Sequence, residues 1–313
     1  MTLKSSLNYK KQPNAQNIKW SIEYFPPRGD VALENFKTVS LSLQQRLNPK
    51  FVSVTYGAGG TTKDATMEAV MLLQQKHTAW PIDYAPPAAH ITAAGASKAD
   101  IQALAKTYWD AGIRHLVAIR GDQPHNPPGA PPPSSQLRYG SDLVNALKQV
   151  ADFDLSVGCY PNKHPESASL DDDLAALRYK MDQGADRAIS QFFFNADDFL
   201  KFRDQARKHG ITKPIIPGIL PFINATQTLK FAKLCQTPIP AGLHHQLESA
   251  KDNAQDAAKL GIEVATKLIE QLIKEGVDHY HLYSLNRSMS ILAIMDHLSF
   301  NIPPQACEQH VAA

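Results

Sequence analysis

Glu23 stands in the run WSIEYFPPR, a carboxyl group flanked by Ile22, Tyr24 and Phe25 in a β-rich segment. An inward-facing carboxylate among such neighbours is desolvated, which raises its pKa and lets it hold a proton near neutral pH and give it away. Pairing with a structural arginine is the other use of such a residue. Further groups with chemical potential follow the β-rich runs downstream: Thr55–Tyr56–Gly57–Ala58–Gly59–Gly60, His90, Arg120–Gly121–Asp122, Tyr160 with His164, Gln191, and Arg287 beyond the last run.

The glycines of TYGAGGTT remove side chains where a ligand would approach the backbone, ahead of a helix N-terminus that favours anions; a plain turn uses the same glycines. Arg120 offers a forked donor set for a phosphate or a polar ring edge, and Asp122 adds negative potential beside it; an ion pair is the competing use. Gln191 presents a donor and an acceptor ahead of Phe192–Phe193–Phe194, a setting for a flat heteroaromatic ligand or for core packing. His90 and His164 have no partner at close metal-ligand spacing, so no metal is expected.

Bringing these groups to one face requires a scaffold that ends many strands at the same place. Short β-rich runs near Trp20–Phe25, Phe51–Thr55, Ala88–Thr92, His115–Arg120, Asp154–Tyr160, Arg187–Phe192, Ile215–Ile219 and His279–Tyr283 alternate with helical patterns. That alternation predicts a (β/α)8 TIM barrel, with catalytic groups at the carboxyl ends of its strands. An open doubly wound sheet is the other arrangement, but no GxGxxG follows the first run.

Thr61 with Asp64 and Ser97 with Asp100 fit capping boxes, and Gly112, Gly184 and Gly210 sit where helices should stop. Residues 225–236, 240–250 and 252–275 all read as helical, so extra helices are expected between strands seven and eight. The six prolines of Gln123–Arg138 exclude regular structure and leave a surface loop or a rim over the site. The expected organisation is a flexible arm at 1–19, one barrel domain at 20–300 and a tail at 301–313.

Thirty-two Lys and Arg against thirty Asp and Glu, with no run of one sign, argue against a nucleic-acid or anionic-membrane partner and for a small molecule. Cys159, Cys235 and Cys307 form no close pair and read as buried thiols of a cytoplasmic protein. No segment offers eighteen consecutive apolar residues.

Taken together, Glu23–Arg28 (EYFPPR), Thr55–Ala58 (TYGA), Arg120–Asp122 (RGD), Tyr160–Glu166 (YPNKHPE), Gln191–Phe194 (QFFF) and Leu285–Arg287 (LNR) resemble the 5,10-methylenetetrahydrofolate reductase family in its short bacterial form, in order, over residues 20–298. The resemblance implies a barrel that binds FAD, takes hydride from NADH or NADPH, and passes it to methylenetetrahydrofolate in a ping-pong cycle that supplies methyl groups for methionine synthesis. It also implies a homo-oligomer. Thr55, Tyr56, Ala58, His90, Arg120, Gly121, Asp122, Tyr139, Tyr160, His164, Asp173 and Lys180 match positions at the FAD site, and Gln191, Gln227, Phe231 and Arg287 match positions near the alternating nicotinamide and folate. By the same resemblance Glu23 protonates N10 of the folate and Asp122 acts electrostatically, beside the flavin and the pterin. Departures are the segment Ile91–Thr92–Ala93–Ala94–Gly95, which reads smaller than in bacterial relatives, and the longer proline-rich loop. A non-catalytic flavin- or folate-binding barrel is the alternative, and Glu23, Asp122 and Gln191 together favour the enzyme.

Overall fold

A computed structural model of the chain describes residues 18–56, 63–79, 84–93, 96–121 and 137–298. Ala58, Thr61, Asp122, Cys307 and most of the proline-rich segment lie outside the described residues.

The first strand shows how a period of two makes two layers. In β1 (Lys19–Tyr24) the alternate residues Trp20, Ile22 and Tyr24 are buried in the layer between sheet and helices, which turns Ser21 and Glu23 toward the barrel axis. Each fully buried aliphatic such as Ile22 contributes about 1.5–3 kcal/mol. Next come α1 (Asp30–Leu47), β2 (Phe51–Val54), α2 (Lys63–Ala79), β3 (Pro87–Thr92), α3 (Lys98–Asp110) and β4 (His115–Ile119). The second half adds α4 (Gly140–Lys148), β5 (Asp154–Cys159), α5 (Leu170–Asp182), β6 (Arg187–Phe192), α6 (Ala196–Lys208) and β7 (Ile215–Ile219). Three helices, α7 (Ala225–Leu234), α8 (Ala241–Ser249) and α9 (Ala254–Lys274), precede β8 (His279–Tyr283), and α10 (Met289–His297) follows it.

All neighbouring strands pair in parallel, and β8 closes on β1 with Tyr283 opposite Glu23, giving a closed eight-stranded barrel. Phe51, Ala88, Val117, Ile189 and Ile216 form an apolar cluster of their own inside it, distinct from the large core outside the sheet. Ser97 and Asp100 make the expected capping box, while Asn195, Asn224 and Asn253 cap α6, α7 and α9 through side-chain oxygens. Gly112, Gly184 and Gly210 end helices at φ 85°, 116° and 79°. Among the described residues no helix is long and apolar enough to cross a membrane.

The β6–β7 ladder is irregular between Ile189 and Phe192, beside Gln191. Side chains replace the missing ladder bonds there: Gly218 N–H donates to Ser190 Oγ at 2.9 Å, and Tyr283 Oη donates to Ser190 O at 2.7 Å. Only glycine fits at 218, since a Cβ there would lie 2.2 Å from Ser190 O and 2.6 Å from the Tyr283 ring.

Candidate active site

The carboxyl ends of the strands open into a cavity of about 670 Å³, lined by Glu23, Phe25, Thr55, Tyr56, His90, Gly158, Tyr160, Gln191 and Tyr283 among others. A smaller one of about 130 Å³ adjoins it, because Phe25 lines both; Gln227, Phe231 and Arg287 meet there.

Glu23 is 16% exposed, and its Oε2 faces two imidazoles, His90 Nε2 at 3.4 Å and His281 Nε2 at 3.7 Å. Burial raises the Glu23 pKa, with His90 opposing the rise. The same burial lowers His90 to about 4, against the pull of Glu23, and His281 to about 3. Both rings are therefore neutral near pH 7, and among the described residues no arginine pairs with Glu23. His281 Nδ1 lies 2.8 Å from Ser21 Oγ, and that hydroxyl donates to Tyr280 O at 3.3 Å. A serine that spends its proton on Tyr280 O accepts from His281 Nδ1–H, an assignment made from the bonding pattern. His281 Nε2 is then a bare acceptor turned to the carboxyl, which favours protonated Glu23.

Tyr160 lines the cavity with a ring set edge-on to His164 at 4.6 Å, and burial lifts its hydroxyl to about 12. Behind it stands a bonded frame. His164 Nδ1 accepts from Glu166 N–H at 3.1 Å, Asp173 Oδ2 accepts from His164 N–H at 2.9 Å, and Lys180 Nζ donates to Gly158 O at 2.7 Å. Arg120 grips Glu166 through both terminal nitrogens at 2.5 and 2.7 Å, so the arginine's partner lies in the YPNKHPE segment. Gly121 takes φ 77°, a conformation natural to glycine. Tyr139, at the N-cap of α4, is half-exposed and lines neither cavity.

Apart from Gly121 and Tyr139, the described sequence-predicted residues separate into three sets. Glu23, Thr55, Tyr56, His90, Tyr160 and Gln191 line the main cavity; Gln227, Phe231 and Arg287 line the smaller one; Arg120, His164, Asp173 and Lys180 brace the wall. Of the two uses open to Phe192, Phe193 and Phe194, the structure shows core packing: all three pack into hydrophobic clusters, Phe194 only partly buried, and none lines either cavity. Cys159 is buried as expected, but Cys235 at the C-cap of α7 is only partly so. Gln191 Oε1 accepts from Phe192 N–H at 3.0 Å, which leaves its NH2 as the group to offer a ligand.

His281, Ser21, Tyr283 and Phe25 belong to the site and were not singled out from sequence. Strand alternation held the signal for three of them, since Ser21 shares the inward face with Glu23, and His281 shares it with Tyr283.

The sequence profile of the methylenetetrahydrofolate reductase family matches residues 8–299 of this chain. The chain is 40% identical over 291 residues to the 5,10-methylenetetrahydrofolate reductase of Escherichia coli (strain K12), covering 93% of this chain and 94% of that one. It is 33% identical over 291 residues to methylenetetrahydrofolate reductase (NADH) 1 of Arabidopsis thaliana, covering 89% of this chain and 48% of the plant protein. Among solved structures, an uncharacterized protein from Clostridium thermocellum that binds two copies of 5-methyl-5,6,7,8-tetrahydrofolic acid aligns with a TM-score of 0.58 at 17% identity. That alignment covers 90% of this chain and 94% of the other and speaks for the fold alone. With a match that spans nearly all of the barrel and the motif residues gathered at its carboxyl end, the chain belongs to the methylenetetrahydrofolate reductase family.

Proposed function

We propose that this site binds FAD, accepts electrons from NADH or NADPH, and reduces 5,10-methylenetetrahydrofolate to 5-methyltetrahydrofolate, with Glu23 as the acid. The observation that carries the reading is a mostly buried carboxyl group at the cavity wall, facing two neutral imidazoles. The lining suits a flat heteroaromatic cofactor: a Cβ at Gly158 would meet open space, and Tyr56, Tyr160 and Gln191 supply rings and an amide.

FAD, when bound, supplies the two-electron carrier that links the nicotinamide to the folate. Thr55, Tyr56, Ala58, His90, Arg120, Gly121, Asp122, Tyr139, Tyr160, His164, Asp173 and Lys180 are assigned to holding it. Arg120 and Lys180 are the cations of that set, and the Glu166 and Gly158 O contacts fix where they stand.

Glu23 delivers its proton to N10 of the folate as the bond between that nitrogen and the bridging carbon opens. The carboxylate left behind faces His90 Nε2, which has no hydrogen-bond partner and can present an N–H to it once the proton has gone. Gln191 offers its NH2 to the pterin edge, and Phe231 stacks on nicotinamide or folate in turn. Asp122 follows Gly121 directly, and its negative charge supports positive charge developing on the folate.

Purified protein should be yellow, be bleached by NADH or NADPH and recover its absorbance on adding methylenetetrahydrofolate. Colourless protein that cannot be reconstituted with FAD overturns the proposal.

A further inference from the structure

The turn after β8 holds two consecutive non-glycine residues in the left-handed region, Leu285 at φ 50° and Asn286 at φ 54°. Side chains with a Cβ resist that conformation, so it persists only where surrounding bonds impose it. Here they do. Asn286 Oδ1 accepts from Phe25 N–H at 2.8 Å while its Nδ2 donates to Phe25 O at 2.9 Å, so one side-chain amide pairs with one residue's backbone as a neighbouring strand would. Asn286 O accepts from Asn35 Nδ2 of α1 at 3.1 Å, and Asn286 N–H donates to Ser284 Oγ at 3.2 Å. That serine hydroxyl donates in turn to Glu23 O at 2.6 Å.

The β1–β8 ladder ends at Glu23 opposite Tyr283 and β1 ends at Tyr24, so the sheet itself does not fix Phe25. The Asn286 amide extends the pairing past the end of the strand. Phe25 is the wall shared by the two cavities, touching the space before Glu23 on one side and before Gln227, Phe231 and Arg287 on the other, and 44% of its surface is exposed. One residue therefore ties together the strand end that carries the acid, the ring between the cavities and the arginine that follows it in sequence.

We propose that Asn286 is a positioning residue for the folate half of the reaction. Its amide keeps Glu23 and Phe25 in register with Arg287, so that a ligand lying across both cavities meets the acid, the ring and the guanidinium together. The proposal rests on the reading of Glu23 as the acid. It predicts that the amide, and not merely the left-handed backbone, sets the rate, because a misplacement of about 1 Å can cost about a hundredfold.

The test is stopped-flow absorbance of FAD-loaded protein, with each half-reaction measured alone. Asn286→Gly keeps the positive φ without strain and removes the amide; Asn286→Asp keeps the shape but has no donor for Phe25 O. In both, reoxidation by methylenetetrahydrofolate should slow at least about tenfold, and clearly more than reduction by NADH or NADPH, which shares Arg287 but does not use Glu23. Thermal melting and flavin stoichiometry show that each variant is folded and loaded. Wild-type reoxidation in Asn286→Gly, or an equal fall in both half-reactions, overturns the proposal. Wild-type protein that takes up FAD and electrons but is not reoxidised by the folate overturns instead the functional reading beneath it.

Discussion

His115 at the amino end of β4 and His90 in the carboxyl half of β3 are both buried inside one barrel, at 5% and 4% exposure, yet they keep different company. His115 Nε2 lies 2.8 Å from Ser156 Oγ and 3.1 Å from Arg187 Nη1, and Arg187 Nη2 donates to Asp154 Oδ2 at 2.8 Å. His90 Nε2 has no hydrogen bond, only Glu23 at 3.4 Å. Burial lowers both rings' pKa values, with Arg187 adding to the effect on His115. At the amino end most polar groups satisfy each other; His279 Nε2 and Asp154 Oδ1 have no hydrogen bond, though Asp154 Oδ1 lies 2.7 Å from Arg187 Nη2 in an ion pair. At the carboxyl end they are left short of partners beside a cavity of about 670 Å³. An unsatisfied buried polar group costs about 1–3 kcal/mol, so the two ends divide the work: one stabilises, the other keeps donors and acceptors for a ligand.

The largest effect expected on that division is at the carboxyl end. Glu23→Gln should slow reoxidation by methylenetetrahydrofolate about 10²–10⁴-fold in single-turnover measurements while leaving reduction by nicotinamide within about twofold. At the amino end Arg187→Met should do the opposite. It should lower stability in urea titrations by about 1–2 kcal/mol, a modest figure because the Asp154 side chain stays 43% exposed, with both half-reactions unchanged. A fall in catalysis with Arg187→Met would erase the contrast between the ends.

Ser21→Ala sharpens the picture of the acid. Without its acceptor, His281 Nδ1 loses the bond that fixes the tautomer, and reoxidation should fall about fivefold, the worth of one hydrogen bond of about 1 kcal/mol. The smallest effect is on the pH dependence of stability. His90 titrates in the fold at about 4, and His279 and His281 at about 3, against 6.5 for the free side chain. Below pH 6.5 the unfolded chain therefore binds more protons than the folded one, so stability falls as pH falls from about 6.5 toward about 4. His279→Asn should flatten that slope by about one proton, measured as urea midpoints across the range.

The strands were legible because a barrel strand must be apolar toward its helices: Trp20, Ile22 and Tyr24 read as β, and the strand they form starts and stops within one residue of its expected bounds. Helix ends were legible where chemistry is local, as at Ser97–Asp100 or Gly184. Glu23 stood out as a carboxyl among apolar neighbours. Ser21 and His281 did not, because they lie 260 residues apart and meet only when the barrel closes β8 onto β1. The rings of Phe192–Phe194 stayed open between core and ligand for a different reason. Their spacing in sequence says nothing about which way each turns, and the irregular β6–β7 ladder leaves Gln191, alone of that run, at the cavity. Asn286 was hidden in the LNR segment, where only the φ of 54° and the amide pair with Phe25 reveal its role.

Glu23 can serve as the proposed acid only if burial keeps it protonated for the folate step, and the pH profile of the limiting reoxidation rate reads that proton. Burial raises the Glu23 pKa, so the acid form persists above the ordinary carboxylate range. The rate should hold a plateau at low pH and fall as pH rises through that raised value, and Glu23→Gln should lack the descending limb. A limb at the ordinary glutamate pKa, or one that survives in Glu23→Gln, would mean that Glu23 is not the acid.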